Sequence, residues 1–166
     1  MREISAYAHA LEALTRSARS AKDLARWLAQ RDHSSDDIRS AIARLTALGV
    51  LNDAEFARSF ARSRATGRGM SRRRIQAELA RRGVARDLVD AAIDEVMADE
   101  HVDERALVEA VAAKKIRSLQ RLEPAVQRRR LYGFLARKGY PAELVRQTVK
   151  NLTSGFFDRD PGRTAP

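Results

Sequence analysis

The chain has 166 residues, of which 44% are hydrophobic and 33% charged, and it contains no cysteine. That length suffices for one domain or a few small helical modules, and the missing thiols exclude disulfides, thiol nucleophiles and cysteine-bound metals. With 32 Lys and Arg against 22 Asp and Glu the formal net charge is +10, which points to a polyanion or an acidic protein surface as partner.

Apolar residues recur at helical spacing along the whole chain, and no segment sustains the alternation of a strand. In the first third, Leu24 and Leu28 mark one helix face and Ile38, Ile42 and Leu45 another. Ser35 with Asp36 and Asp37 predicts a helix start, and Gly49 a left-handed stop. In the middle third Phe56 and Phe60, then Ile75 and Leu79, then Val89, Ile93 and Val96 follow the same spacing, with Gly83 as a stop. In the last third the positions are Leu131 and Leu135, then Val145, Val149 and Leu152, with Gly139 as a stop and Pro141 ahead of Glu143 as a start. About nine helices and no sheet are expected. Phe56, Phe60, Ile75, Leu79, Leu131 and Leu135 are assigned to cores. With no apolar stretch of about 18 residues and no signal segment, the chain reads as soluble and cytoplasmic, without membrane association.

The helices repeat. A shift of 51 carries Leu24, Leu28, Ile38, Ile42 and Leu45 onto Ile75, Leu79, Val89, Ile93 and Val96, and a further shift of 56 carries those onto Leu131, Leu135, Val145, Val149 and Leu152. The second shift also places "LARRG" (79–83) on "LARKG" (135–139). The expected fold is all-α: three tandem three-helix repeats, 1–50, 51–98 and 103–152, forming an elongated, curved rod. Residues 153–166, "TSGFFDRDPGRTAP", read as a flexible C-terminal tail that only Phe156 and Phe157 offer to dock.

Charge is distributed in blocks. From Arg58 to Arg86 ten arginines face one acid, Glu78; from Asp87 to Glu109 nine acids face Arg105; from Lys114 to Lys138 nine bases face Glu123. The first block holds one acid in 29 residues where the chain average supplies about four, so it is read as a binding face and not only a solvated one. Within it, "RATGRGMSRRR" (64–74) predicts a hinge at Gly67 and Gly69, a cap at Ser71, and Arg72, Arg73 and Arg74 in the first helical turn. Arginines there oppose the positive helix end, a local conflict that marks a functional requirement.

Three-helix units on a basic chain raise the question of major-groove DNA reading. The third helix of the middle repeat carries Asp87, Asp90, Asp94 and Glu95, which phosphates repel, so that mode is unexpected. Nor does a catalytic, cofactor or metal site emerge. His9, His33 and His101 stand in different segments with none at helical pair spacing, and His101 ahead of Asp103 and Glu104 reads as a solvated helix start. The "GRG" at 67–69 lacks the strand and the Lys-Ser/Thr of a phosphate loop. Trp27 is assigned to packing between repeats, and Tyr132 and Tyr140 to helix edges.

The run "LGVLNDAEFARSFARSRATGRGMSRRRIQAELARRGV" (48–84) closely resembles the middle segment of RecX regulatory proteins. Leu51, Asn52 and Asp53, then Phe56 and Ala57, Arg62 and Arg64, Gly69, and finally Arg74, Ile75, Glu78, Leu79, Arg82 and Gly83 carry the likeness. Asn52 stands where an acid is common and Met70 where proline is common; Asn still caps a helix, and Met70 only gives up a preset turn angle. The resemblance implies tandem three-helix repeats and a non-enzymatic, cofactor-free inhibitor of the RecA recombinase. Such a protein binds RecA and the RecA–DNA filament and lowers ATPase, strand-exchange and coprotease activity, modulating homologous recombination, DNA repair and the SOS response. Weak direct binding to single- or double-stranded DNA and a monomeric state accompany this expectation. The contact faces are expected at Arg58, Arg62, Arg64, Arg68, Arg72, Arg73, Arg74, Arg81 and Arg82, and at Lys114, Lys115, Arg117, Arg128, Arg129, Arg130, Arg137 and Lys138, with Glu78, Asp87 and Asp90 limiting the fit. The alternative from another class is a general DNA-binding helical protein of architectural or regulatory type.

Overall fold

The computed structural model describes residues 5–154; the expectation for the tail, including Phe156 and Phe157, lies largely outside the described residues. Among them the chain forms nine α-helices and no strand. The first three are α1 (Ala6–Arg16), α2 (Ala21–Ala29) and α3 (Ser35–Ala47). The next are α4 (Asp53–Arg62), continued by a π-helical turn at Ser63–Gly67, then α5 (Arg72–Arg81) and α6 (Arg86–Asp99). The last are α7 (Glu104–Arg117), α8 (Pro124–Arg137) and α9 (Ala142–Ser154).

The helix ends follow from local chemistry. Ser20, Ser34, Asn52 and Asp103 each hold an extended backbone and accept a first-turn N–H with the side chain, so one otherwise orphaned donor is satisfied at each start. The cap of α3 is thus Ser34, whose Oγ accepts from Asp37 N–H at 3.1 Å, and Ser35 is the first helical residue. Two adjacent serines compete there, and the one followed at three residues by the carboxylate of Asp37 also gains a 2.6 Å bond to it. Gly49, Gly83 and Gly139 adopt the left-handed φ values +69°, +74° and +90° that end their helices.

The described chain divides into two compact units. One contains the residues up to Ser63 together with Gln76–Val96; the other contains Arg64–Ile75 and the residues from Met97 onward. In the first, α1, α2 and α3 pack mutually around Ala10, Ala13, Leu24, Leu28, Leu45 and Leu51, with Ile38, Ile42 and Trp27 closing the margin. In the second, α7, α8 and α9 pack around Val108, Ala112, Leu131, Leu135, Tyr140 and Val145. Of the fifteen positions matched by the two shifts, all are buried except Ile38, Ile42 and Leu152, and these three lie half-buried against their cores.

One junction is built twice. In the first unit the buried Ser20 Oγ donates to the Arg82 carbonyl at 2.6 Å, and Gly83 passes so close to α2 that a Cβ there would lie 2.0 Å from Lys22 Cδ. In the second unit the buried Ser71 donates its N–H to the Lys138 carbonyl at 3.1 Å, and a Cβ on Gly139 would lie 2.6 Å from Arg74 Cβ and 2.7 Å from Ser71 Oγ. The shift of 51 relates the two serines and the shift of 56 the two glycines. Each junction therefore sets the start of one helix against the glycine turn of the following repeat.

Both the left-handed φ and the missing side chain are needed at these turns, whereas Gly49 has the same φ sign with nothing within 4 Å of a Cβ. Gly49→Ala is expected to lower stability by about 1 kcal/mol through backbone strain alone. Gly139→Ala is expected to cost at least about 2 kcal/mol, because strain and overlap with Arg74 add. Urea denaturation of the two variants checks the difference.

Candidate partner-binding surface

The arginine-rich segment 64–74 is a fastened strap and not the hinge expected at Gly67 and Gly69. Gly69 takes φ +56° beside α7, where a Cβ would lie 2.3 Å from Val111 Cγ2. Its carbonyl accepts the Tyr140 hydroxyl at 3.0 Å, and the Arg68 carbonyl accepts the Lys138 ammonium. Tyr140 is buried, not at a helix edge. Burial first, and the Glu104 carboxylate second, push its phenol above the ordinary tyrosine range. Tyr132, by contrast, is exposed.

The start of α5 resolves its own conflict. Ser71 Oγ accepts from Arg74 N–H at 3.2 Å, and Glu104, on the first residue of α7, accepts from Arg72 N–H at 3.1 Å. A carboxylate from another helix thereby supplies the negative charge that a helix N-terminus favours and that Arg72, Arg73 and Arg74 cannot. Arg72 is half-buried; Arg73 and Arg74 are exposed.

Several expected contact cations have acids close at hand. Arg58 pairs with Glu55 at 2.6 Å and reaches Glu95 at 3.5 Å, and the Glu55 hydrogen bond and then the Glu95 charge hold its guanidinium above the usual range. Arg82 pairs with Asp23 at 2.9 Å and lies 5.1 Å from the Phe60 ring centroid. Arg81 and Arg82 line a shallow cavity with Arg26, Asp23 and Glu78, so that face is of mixed sign. Asp90 accepts from Gln76 at 2.8 Å, while Asp87 is exposed. Arg62 is exposed on α4 and Arg64 half-buried in the π-helical turn.

The third block is more open. Lys114 and Arg117 on α7, and Arg128, Arg129, Arg130 and Arg137 on α8, are all exposed. Lys115 and Lys138 are half-buried and place their ammonium groups 5.3 Å and 5.4 Å from the Phe134 ring centroid. Burial, and then the Arg68 charge, lower the Lys138 pKa from the ordinary lysine value. Within the second unit the strap, α7 and the end of α8 surround a groove of about 730 Å³ that gathers Arg68, Lys114, Lys115 and Lys138. Arg128 lines a separate, smaller groove with Tyr132, Arg146 and Lys150.

Trp27 packs within the first unit, on a core that includes Leu51 at the start of the second repeat. Its ring packs on the first core beneath the Arg31 guanidinium, 3.4 Å from the ring centroid, with Arg19 at 5.5 Å and His9 edge-on at 6.4 Å. Sequence spacing separates His9 from His33, yet the α1–α3 packing brings His9 Nδ1 within 2.8 Å of His33 Nε2. Among the described residues no cluster of three or more His, Asp or Glu is positioned to hold a metal, and no helix is long and apolar enough to cross a membrane.

Comparison with known proteins matches all three triplets in order. Profiles of the first, second and third three-helix domains of RecX match residues 6–45, 52–93 and 103–149. The regulatory protein RecX of Thermobifida fusca is 36% identical over 140 residues, covering 84% of this chain and 74% of that protein. That of Amycolatopsis mediterranei is 34% identical over 133 residues, with 80% and 74% covered. The crystal structure of RecX from Lactobacillus salivarius superposes with a TM-score of 0.68 over 89% of this chain and 94% of that one, at 20% identity, a likeness of fold.

Removing the phenol that holds the strap tests its fastening. Tyr140→Phe is expected to lower stability by about 0.5–1.5 kcal/mol at neutral pH, since the Gly69 carbonyl loses its donor. The raised phenol pKa adds a sign: the folded state holds this proton more tightly than the unfolded chain, so its stability contribution is present below pH ~10 and declines as pH rises above it. Urea midpoints measured from pH 8 to pH 11 should fall more steeply for the unaltered protein than for Tyr140→Phe.

Proposed function

Because this chain belongs to the RecX family of regulatory proteins, with all three of its domains present in order, we propose that it binds the RecA recombinase and its DNA-bound filament and lowers their ATPase, strand-exchange and coprotease activities. In this reading it is a cytoplasmic, monomeric modulator of recombination, repair and the SOS response, acting by binding and not by catalysis. We take the repeats to span 1–50, 51–98 and 103–152; Thr153 and Ser154, the first two residues of the expected tail 153–166, instead complete α9. The observation that carries the reading is the ordered match of the three domains. The exposed cations support it: Arg68, Arg73 and Arg74 of the strap and first turn, and Lys114, Arg117, Arg128, Arg129, Arg130 and Arg137 of the third repeat. Arg58 and Arg82, with Asp23, Glu55 and Glu95 against them, contribute less to a partner than their place in the basic block suggests. Exposed pairs of this kind hold each other weakly, by about 0.2–1 kcal/mol, but they lower the net field a partner meets.

RecA ATPase on single-stranded DNA, and RecA-stimulated repressor cleavage, should both fall when this protein is added below stoichiometry; unchanged rates across the series overturn the proposal. Arg73→Glu combined with Arg129→Glu, both at exposed positions, should weaken inhibition roughly five- to tenfold with an unaltered helical circular dichroism spectrum. Salt separates this reading from a general DNA-binding protein. If phosphates supply the affinity, binding to bare single strands should fall with a log–log salt slope of about −4 to −6 for roughly six contacts. A filament-directed protein instead binds RecA-coated DNA far better than bare DNA near physiological salt.

A further inference from the structure

We propose that the groove bounded by the strap, α7 and the end of α8 binds a short peptide segment that carries an apolar anchor at one end and carboxylates at the other. The proposal refines the reading of these cations as partner contacts by naming the chemistry of what one cluster of them holds.

The groove has two chemically distinct halves. Leu107, Ala110 and Val111 lie on one stripe of α7 at the spacing that puts side chains on the same face, and Lys114 and Ser118 continue that stripe one and two turns later. From Leu107 to Ser118 the stripe is about 16 Å long, the length of roughly five extended residues. Its first half is aliphatic. Its second half is cationic, with Lys114 and Lys115 from α7, Arg68 from the strap and Lys138 from the end of α8 gathered around Phe134, and among the described residues no carboxylate lines the groove. An occupant must therefore be apolar at one end and anionic at the other.

The walls are preformed. The contact of Gly69 with Val111, the Tyr140 hydroxyl on Gly69 and the Lys138 ammonium on Arg68 hold the strap beside α7 through the chain's own contacts, so little ordering remains for binding to impose. Ala110 is exposed on the floor, where a small side chain leaves room for an anchor. The volume of about 730 Å³ falls within the range of sites that enclose a side chain cluster or small ligand.

A nucleic acid strand suits the groove less well. A phosphate chain carries charge at every step, so half of it would lie on aliphatic carbon, and it would run toward the Asp103, Glu104 and Glu109 end of α7. A peptide can place its charges where the cations are and its anchor where they are not.

The test uses the purified full chain with no recombinase present, so its failure leaves the proposed function standing, and failure of that function leaves this result standing. A fluorescein-labelled peptide of about ten residues, with Leu and Phe in its first half and glutamates in its second, is titrated by anisotropy near 150 mM salt. Comparison probes are the same peptide with Ser in place of Leu and Phe, and a short oligo-dT. The apolar–acidic peptide should bind at least about tenfold more tightly than the Ser peptide and resist displacement by oligo-dT. Ala110→Glu and Lys114→Glu, both at exposed positions, should each weaken it about tenfold or more, while Arg39→Glu, exposed on α3 and outside the groove, should leave it unchanged. No binding up to about millimolar, equal affinity for both peptides, ready displacement by oligo-dT, or indifference to Ala110→Glu overturns the proposal.

Discussion

The contact on which both units depend is a buried serine at a helix start set against a glycine turn from the following repeat. Three-helix units of this size bury too little surface to be stable alone, so the way successive repeats touch decides whether any of them folds. At Ser20 with Arg82 and Gly83, and again at Ser71 with Lys138 and Gly139, a carbonyl that would otherwise end its helix unsatisfied receives a donor from the neighbouring repeat. The glycine serves twice. It turns the chain left-handed, and its bare Cα admits the neighbouring helix to a distance that a methyl group forbids.

That close approach organises the charge as well. In the first unit the turn brings Arg82 onto Asp23 and Arg58 toward Glu95; in the second, Glu104 reaches the start of α5. Acids and bases that stand in separate blocks along the chain thus meet in space. The basic residues that stay exposed, several of them on the strap and on α7 and α8, and not the net charge of +10, are what a partner encounters.

Much of this was legible in the amino-acid order because it depends on period. Apolar spacing of three and four located the helices, and two constant shifts matched fifteen positions that prove buried or half-buried against a core. The glycine stops were legible because few other residues tolerate their φ. What escaped depends on contacts between segments distant in sequence. Nothing near Tyr140 announces that its hydroxyl meets Gly69, 71 positions away. Trp27 reads in the sequence as packing between repeats, and nothing near it announces that arginines of its own repeat cover its ring. The strap looked like a hinge because it holds two glycines, although one of them is there to fit beneath Val111. The arginines of the strap were legible as a feature, and the acids that answer some of their neighbours were not, since ion pairing across repeats leaves no local pattern.

The serine position has a third copy, and it is not a serine. The same shifts carry Ser20 to Ser71 and then to Gln127, which lies in the first turn of α8, is buried, and donates its side-chain amide to the Gln120 and Leu122 carbonyls of its own repeat. A longer polar side chain there reaches carbonyls just ahead of its own helix, where Ser20 reaches a carbonyl at the glycine turn of the next repeat. The first two copies of this position thus bond into the repeat that follows, and the third bonds back into its own.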